Sequence, residues 1–283
     1  MRLSTIIVLI LICAPLCRAQ KFHFSPLSES VIRHRVEDAP SDRREREKRI
    51  KQLFAEAGCG TGKLNEQPLQ STEGENVICR LAGTTNQTIV VGANYDPMEI
   101  DNWAGASLLP SLFQSLNRRK RSHTFVFVAF ADNKGDLAGS QFFARQMAQS
   151  DLERTEAMID LSALGFSPTK VSSAASDKKL VELFFRVTYA LNQVASQVDI
   201  SKALHADSEP FAALHIPQIT IHSLTHESVA ALLPQDQQPA PAAGPAHLDT
   251  RFQQDFYYKS YRLISGYLAY LDQTLKPRQH DSP

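Results

Sequence analysis

The residues best able to do chemistry sit where apolar runs stop. "TIVVGANYD" ends in Asn94 and Asp96, with Asp101 shortly after it. "HTFVFVAFAD" runs into Asp132, Asn133 and Lys134, "AMIDLSAL" carries Asp160 and Ser162, and "PQITIHSLTH" carries His222 and His226. Carboxylates and imidazoles gathered at one place can hold divalent cations or pass protons. Asp and Asn also favour turns at strand ends through their own hydrogen bonding, so no one of these ends is decisive. A further cluster, "HADSEPF" (205–211), invites a Ser/His/Asp nucleophile. It lacks the G-x-S-x-G elbow that exposes such a serine. His222 alternates with apolar residues, the pattern of a hydrogen-bonded, half-buried histidine rather than a ligand.

Those ends need a scaffold. The near-continuous apolar character of 76–83, 88–96, 123–132, 157–164 and 217–224 predicts strands covered on both faces, the habit of parallel sheets in α/β folds. Ligands in such sheets bind outside the carboxyl ends of the strands, where the residues above lie. Between the strands, "SDKKLVELFFRVTYALNQ" has a Ser-Asp start and apolar residues at Leu180, Phe184, Val187 and Leu191, the spacing of an amphipathic helix. The same period recurs at Tyr257, Tyr261, Ile264, Leu268, Leu271 and Leu275, stopping before Pro277. Its aromatics read as core. "SDRREREKRIKQLF" (41–54) reads as a solvated helix behind a Ser cap. "PQDQQPAPAAGPAHLD" (234–249) can form neither helix nor central strand.

Composition narrows the partners. The chain has 283 residues, 43% hydrophobic and 21% charged, room for one large core with no internal repeat or composition shift. Thirty basic and thirty acidic residues cancel, which argues against nucleic acid and anionic membranes. The basic run at 118–121 suits a helix C-terminus. At the start, Arg2, an apolar stretch from Ile6 to Ala14 and a small-residue exit near Ala19 make residues 1–19 a secretory signal peptide. The remaining 20–283 then form a single domain, secreted or periplasmic, with no membrane contact after cleavage. Cys59 and Cys79 would remain and most simply form one disulfide, the alternative being two buried thiols.

Several pieces in order, "VVGANYD", "DNWAGAS", "FADNKGDLAGSQFF", "AMIDLSALG", "DSEPFAALHIPQITIHSLT" and "YYKSYRLISGYLAYLD", resemble the secreted zinc aminopeptidases of the clan MH metallopeptidases. The resemblance runs from about Phe54 to Leu275. It implies a three-layer α/β fold with a mixed, mostly parallel eight-stranded sheet between helices. In intact members it also implies two zinc ions bridged by an aspartate, with a glutamate as general base activating a shared water.

Carried over position by position, the ligand set is depleted. The family's first histidine falls on Asn94, with Asp96 kept as its orienting neighbour, and the bridging aspartate falls on Asp101. The two glutamates fall on Asn133, at the general-base position, and Lys134. The next aspartate falls on Ser162 and the last histidine on Leu233. An amide is a weak ligand, a hydroxyl weaker and an alkyl none, while an ammonium repels a cation. The resemblance thus implies a lost di-zinc site, no bound zinc, and a cleft left to bind a peptide or protein. A Lys134 ammonium beside Asp101 and Asp96 would neutralise carboxylates that once faced metal. The competing expectation is an active zinc aminopeptidase that recruits His247, His222 or Asp132. A third is a one-metal centre like that of the glutaminyl cyclases of the same clan.

Overall fold

A computed structural model describes residues 24–37, 39–70, 74–97, 103–131, 136–233 and 251–276. The signal-peptide reading, the Pro-rich segment and the positions Asp101, Asp132, Asn133, Lys134 and His247 lie outside them.

The chain opens with α1 (Glu29–Val36) and α2 (Arg43–Glu56), then β1 (Leu64–Pro68), β2 (Glu75–Leu81) and β3 (Thr88–Asn94). After α3 (Trp103–Asn117) come β4 (Thr124–Phe130), α4 (Ala138–Arg145), α5 (Gln149–Arg154) and β5 (Thr155–Leu161). The remainder comprises β6 (Lys170–Val171), α6 (Lys178–Ala190), β7 (Ser196–Gln197), α7 (Glu209–Ala213), β8 (Gln218–His222), α8 (His226–Leu232) and α9 (Gln254–Thr274). All eight strands form one mixed sheet in the order β1-β2-β4-β3-β5-β8-β6-β7, as the resemblance implied. Its centre, β4-β3-β5-β8, is wholly parallel. The edges are not: β1, β2 and β4 are joined antiparallel, and β6 runs antiparallel to β8.

Alternation along the strands splits the interior in two. On one face Val91, Ala93, Phe127, Ile159 and Ile221 pack with α1, α2, α3, α6 and α9 in the larger core. On the other, Val90, Val128, Phe130 and Met158 meet Ala144 of α4 and Phe211 of α7. The central strands are therefore apolar on both sides, which is why they read as unbroken runs. The outer strands β1, β6 and β7 escaped the sequence reading because β6 and β7 are two residues long and β1 and β7 are polar and largely exposed. The strand expected over 157–164 starts earlier, at Thr155, and ends at Leu161, where the chain turns through Ala163 with φ 44°.

Local signals mostly hold. The cap of α2 is Asp42 rather than Ser41, its carboxylate accepting from the amides of Arg44 and Glu45. That helix is solvated on one side only, since Ile50, Leu53 and Phe54 are buried. Asp177 caps α6 at Leu180 N. In α9 the buried Tyr257, Tyr261 and Tyr267 are core residues. Past the end of α3, Arg121 donates to the carbonyls of Leu116 and Arg119, neutralising the exposed helix end as the macrodipole favours. Gly105 lets α3 lie against the sheet: a Cβ there would come within 2.4 Å of Leu161 O and 3.2 Å of Ala93 Cβ.

Cys59 and Cys79 form a disulfide tying the end of α2 to β2, and both are fully buried. Closing a loop with a sequence separation of 20 residues contributes roughly 3 kcal/mol through the unfolded chain. The Cys59→Ala/Cys79→Ala double variant should therefore lose about that much unfolding free energy in urea melts. A variant as stable as the parent would show that the bond constrains nothing.

Candidate functional site

The candidate site follows from register. Gly92 of β3 stands against Val128 of β4 and Asp160 of β5, and Asp160 stands against Thr220 of β8. Parallel partners point to the same face, so these four form a row across the sheet on the side of α4 and α7. Two residues on, the same registers set a second row at the carboxyl edge: Phe130, Asn94, Ser162 and His222. Sequence-distant positions are thus brought together by hydrogen-bonded pairing.

Asn94 is 4% exposed and its Oδ1 accepts from the backbone N of Asp96 at 2.7 Å. That is an Asx turn, in which the amide oxygen closes its own loop. Asp96 is buried beside it. Tyr95 between them points to the opposite side, donating to Glu75 O at 2.9 Å, with burial pushing its phenol pKa up.

Ser162 continues the ladder through its N–H to Ile221 O at 2.9 Å. The loop it opens is held in a strained form, with positive φ at Ala163 and at Gly165. Ser223 Oγ donates to Ala163 O at 2.7 Å and accepts from Phe166 N at 2.9 Å. Ser167 Oγ donates to Ser223 O, while the Lys170 ammonium donates to Ser167 Oγ and to Pro168 O. Burial lowers the Lys170 pKa, and Glu227 opposes that shift. Gly165 abuts the Phe252 ring, where a Cβ would meet Cε2 at 2.4 Å, and Gln253 N donates to Gly165 O. The chain returning towards α9 is thereby pinned at this edge. Leu233 caps the end of α8, its N–H donating to Ala230 O, with a side chain that offers no ligand atom.

His222 is fully buried, not half-buried. Its Nε2 lies 2.8 Å from Val198 O and its Nδ1 3.1 Å from Leu224 N. A carbonyl only accepts and an amide N–H only donates, so the ring is the neutral Nε2–H tautomer with both nitrogens engaged. Burial drives its pKa down to about 4. The Ser/His/Asp suggestion fails on distance and direction: His205 pairs with Glu209 at 3.1 Å on the surface, while Ser208 Oγ lies 2.8 Å from Thr220 Oγ1 in the interior.

Sequence reasoning named Asp160 at a strand end but gave it no role. It is buried, bonded to the Thr220 hydroxyl and the Leu161 backbone, and its Oδ2 has no hydrogen-bond partner among the described residues. Burial first, then the neighbouring Asp207, raises its pKa well above the ordinary carboxyl range. Burial and a like charge nearby both favour the protonated form of Asp160. The signal was a lone Asp inside an apolar strand, where an unpaired charge is costly.

No protein-family model matches the chain, and no curated protein matches it by sequence. Solved structures do match in fold. A zinc aminopeptidase from Bacillus subtilis, BSAP, shares 15% identity with a TM-score of 0.57, over 72% of this chain and 52% of that one. This chain therefore spans about half the length of that aminopeptidase. A glutaminyl cyclase from an Acidobacteriales bacterium matches at 15% identity and TM-score 0.64, over 88% of this chain and 97% of its own. LapB from Legionella pneumophila matches at 14% and 0.65, over 86% and 71%. The fold is that of the zinc aminopeptidases and glutaminyl cyclases.

Two pH effects follow. A histidine with a depressed folded pKa binds its proton less readily in the native state than unfolded, so protonation favours unfolding. The contribution of His222 should be intact above pH 6.5 and fall by roughly 3 kcal/mol as pH drops towards 4. In a His222→Gln variant that acid limb should flatten in pH-dependent urea melts; an unchanged limb would disprove the assignment. Asp160 has the opposite sign. Its raised folded pKa gives stability below the ordinary carboxyl pKa that is lost as pH rises through the folded value. Asp160→Asn should thus gain on the parent with increasing pH and converge with it near pH 4. A variant less stable at neutral pH would mean that the carboxylate is ionised and served by a cation.

Proposed function

We propose that the chain is an exported protein of the metallopeptidase fold whose di-zinc centre is lost and whose carboxyl-edge cleft binds peptide or protein without hydrolysing it. The observation that carries the reading is Asn94. At the position where the resemblance calls for a metal-binding imidazole, an amide oxygen is already committed to the Asp96 N–H. Ser162 and Leu233 complete the described ligand positions, and a hydroxyl and an alkyl group do not fit zinc. Among the described residues no group of three or more His, Cys, Asp or Glu could hold a metal ion. No catalytic step is therefore routed through zinc. Export is supported by the leader-like N-terminus and by the Cys59–Cys79 bond. No described helix is long and apolar enough to cross a membrane.

The alternative is a working enzyme with rearranged ligands. His222 cannot serve, because both ring nitrogens are held by backbone. The match along nearly the whole of a glutaminyl cyclase favours a one-metal form of that alternative over a two-metal aminopeptidase. One experiment separates the three. Purified protein is analysed for metal by mass spectrometry, then assayed with aminoacyl amides and with peptides bearing N-terminal glutamine, with and without chelator. The expected result is negligible zinc and no turnover, with saturable peptide binding by calorimetry that chelator leaves unchanged. One or two equivalents of zinc with chelator-sensitive amide hydrolysis would establish the aminopeptidase. Chelator-sensitive cyclisation alone would establish the one-metal enzyme.

A further inference from the structure

Away from the site, one end of the sheet is left open. Among the described residues β7 pairs only with β6. The amides of Ser196 and Val198 donate inward to Thr169 O and Val171 O, so the peptide N–H of Gln197 between them faces out. Beside this edge lies α6. Its inner face buries Leu180, Leu183, Phe184 and Val187 against the core. Along its solvent side, Val181 and Phe185, half-buried at the margin of the core, and the exposed Tyr189 form an apolar stripe flanked by Lys178, Glu182 and Arg186. The stripe and Gln197 line a groove of about 750 Å³. Tyr189 stands 89% exposed on its rim, and Val194 nearby is 77% exposed. Among the described residues, Lys178, Glu182 and Arg186 make no ion pair. An apolar stripe, unpaired charges and an open strand edge on one side of a molecule are the marks of an interface.

We propose that this edge is a two-fold interface between two copies of the chain, in which β7 pairs antiparallel with its symmetry mate and the two α6 helices pack antiparallel beside it. The reason for choosing a second copy is that the stripe complements its own reversal. With the axis near Phe185, Phe185 meets Phe185 of the partner subunit. Val181 and Lys178 meet the partner's Tyr189, whose ring would enter the groove with the ammonium over its face. Glu182 then lies beside the partner's Arg186, and by symmetry Arg186 lies beside the partner's Glu182. Burying one tyrosine from each copy removes about 150–250 Å² apiece from water, and the outward amide and carbonyl of Gln197 gain strand partners. An unrelated peptide would meet the strand edge equally well but has no reason to match this charge order.

Charge reversal tests it. Sedimentation velocity of the parent across a concentration series should show a reversible monomer–dimer equilibrium. Glu182→Arg and Arg186→Glu should each shift the dimer dissociation constant upward by tenfold or more, since each places like charges across the axis twice. The double variant should restore dimerisation to near the parental value. Rescue cannot come from a merely misfolded single variant, and circular dichroism melts of all three confirm the fold. The proposal is overturned if the parent is monomeric at every concentration, or if single reversals leave the dimer intact. It is also overturned if the double variant is as monomeric as the singles, which would leave the groove to a different occupant.

Discussion

β3 is hydrogen-bonded on both sides, to β4 and to β5, and the candidate site hangs from that double pairing. A one-residue slip in either ladder would turn Asn94 or Ser162 to the opposite face. What prevents the slip is burial of both faces: Val90 and Gly92 look into one core, Val91 and Ala93 into the other, so each alternative register exchanges fitted neighbours for misfitted ones. Gly105 adds a lock, since α3 rests so close to Leu161 O that a methyl group would not fit. The carboxyl edge is thus defined by packing far beneath it.

The polar residues at that edge mostly serve the edge itself. Asn94 closes a turn, His222 bridges two backbone segments, and Lys170 braces the loop after β5 through two acceptors. Such groups are buried at a cost that their hydrogen bonds offset. A side chain engaged in this way is poorly placed to bind a cation, because ligation would expose the bond it now makes. Asp160 is the exception. Its free oxygen is tolerated because the carboxyl stays protonated beside Asp207. A neutral acid costs far less to bury than a carboxylate.

Architecture can be kept by a chain independently of the chemistry its cleft performs. The three-layer fold with its mixed eight-stranded sheet matches solved zinc aminopeptidases and glutaminyl cyclases. Packing constrains those features regardless of what the cleft does. Metal chemistry depends on a few donor atoms that packing does not protect, and these can change while the core persists.

Five central strands and the principal helices could be read from residue order because their signals are local. Apolar runs, helical periods, an Asp before α6 and a Pro after α9 each act within a few residues. Cys59 and Cys79, the two cysteines outside the leader-like segment, left little choice of pairing, and the bond formed. The resemblance, carried over residue by residue, set Asn94 where it implies an imidazole. The two-residue strands β6 and β7 could not be read, since two residues carry no period and their pairing comes from distant chain. The alternating pattern around His222 already pointed to a hydrogen-bonded histidine rather than a ligand, but its full burial and its two partners, Val198 O and Leu224 N, come from distant pairing. Asp160 shows the limit most clearly. Sequence places it at the end of a strand, but the loop carrying Asp207 lies nearly fifty residues further on. Folding buries Asp160 and brings Asp207 near it, and burial first, then repulsion, raises its pKa in a way that no local pattern encodes.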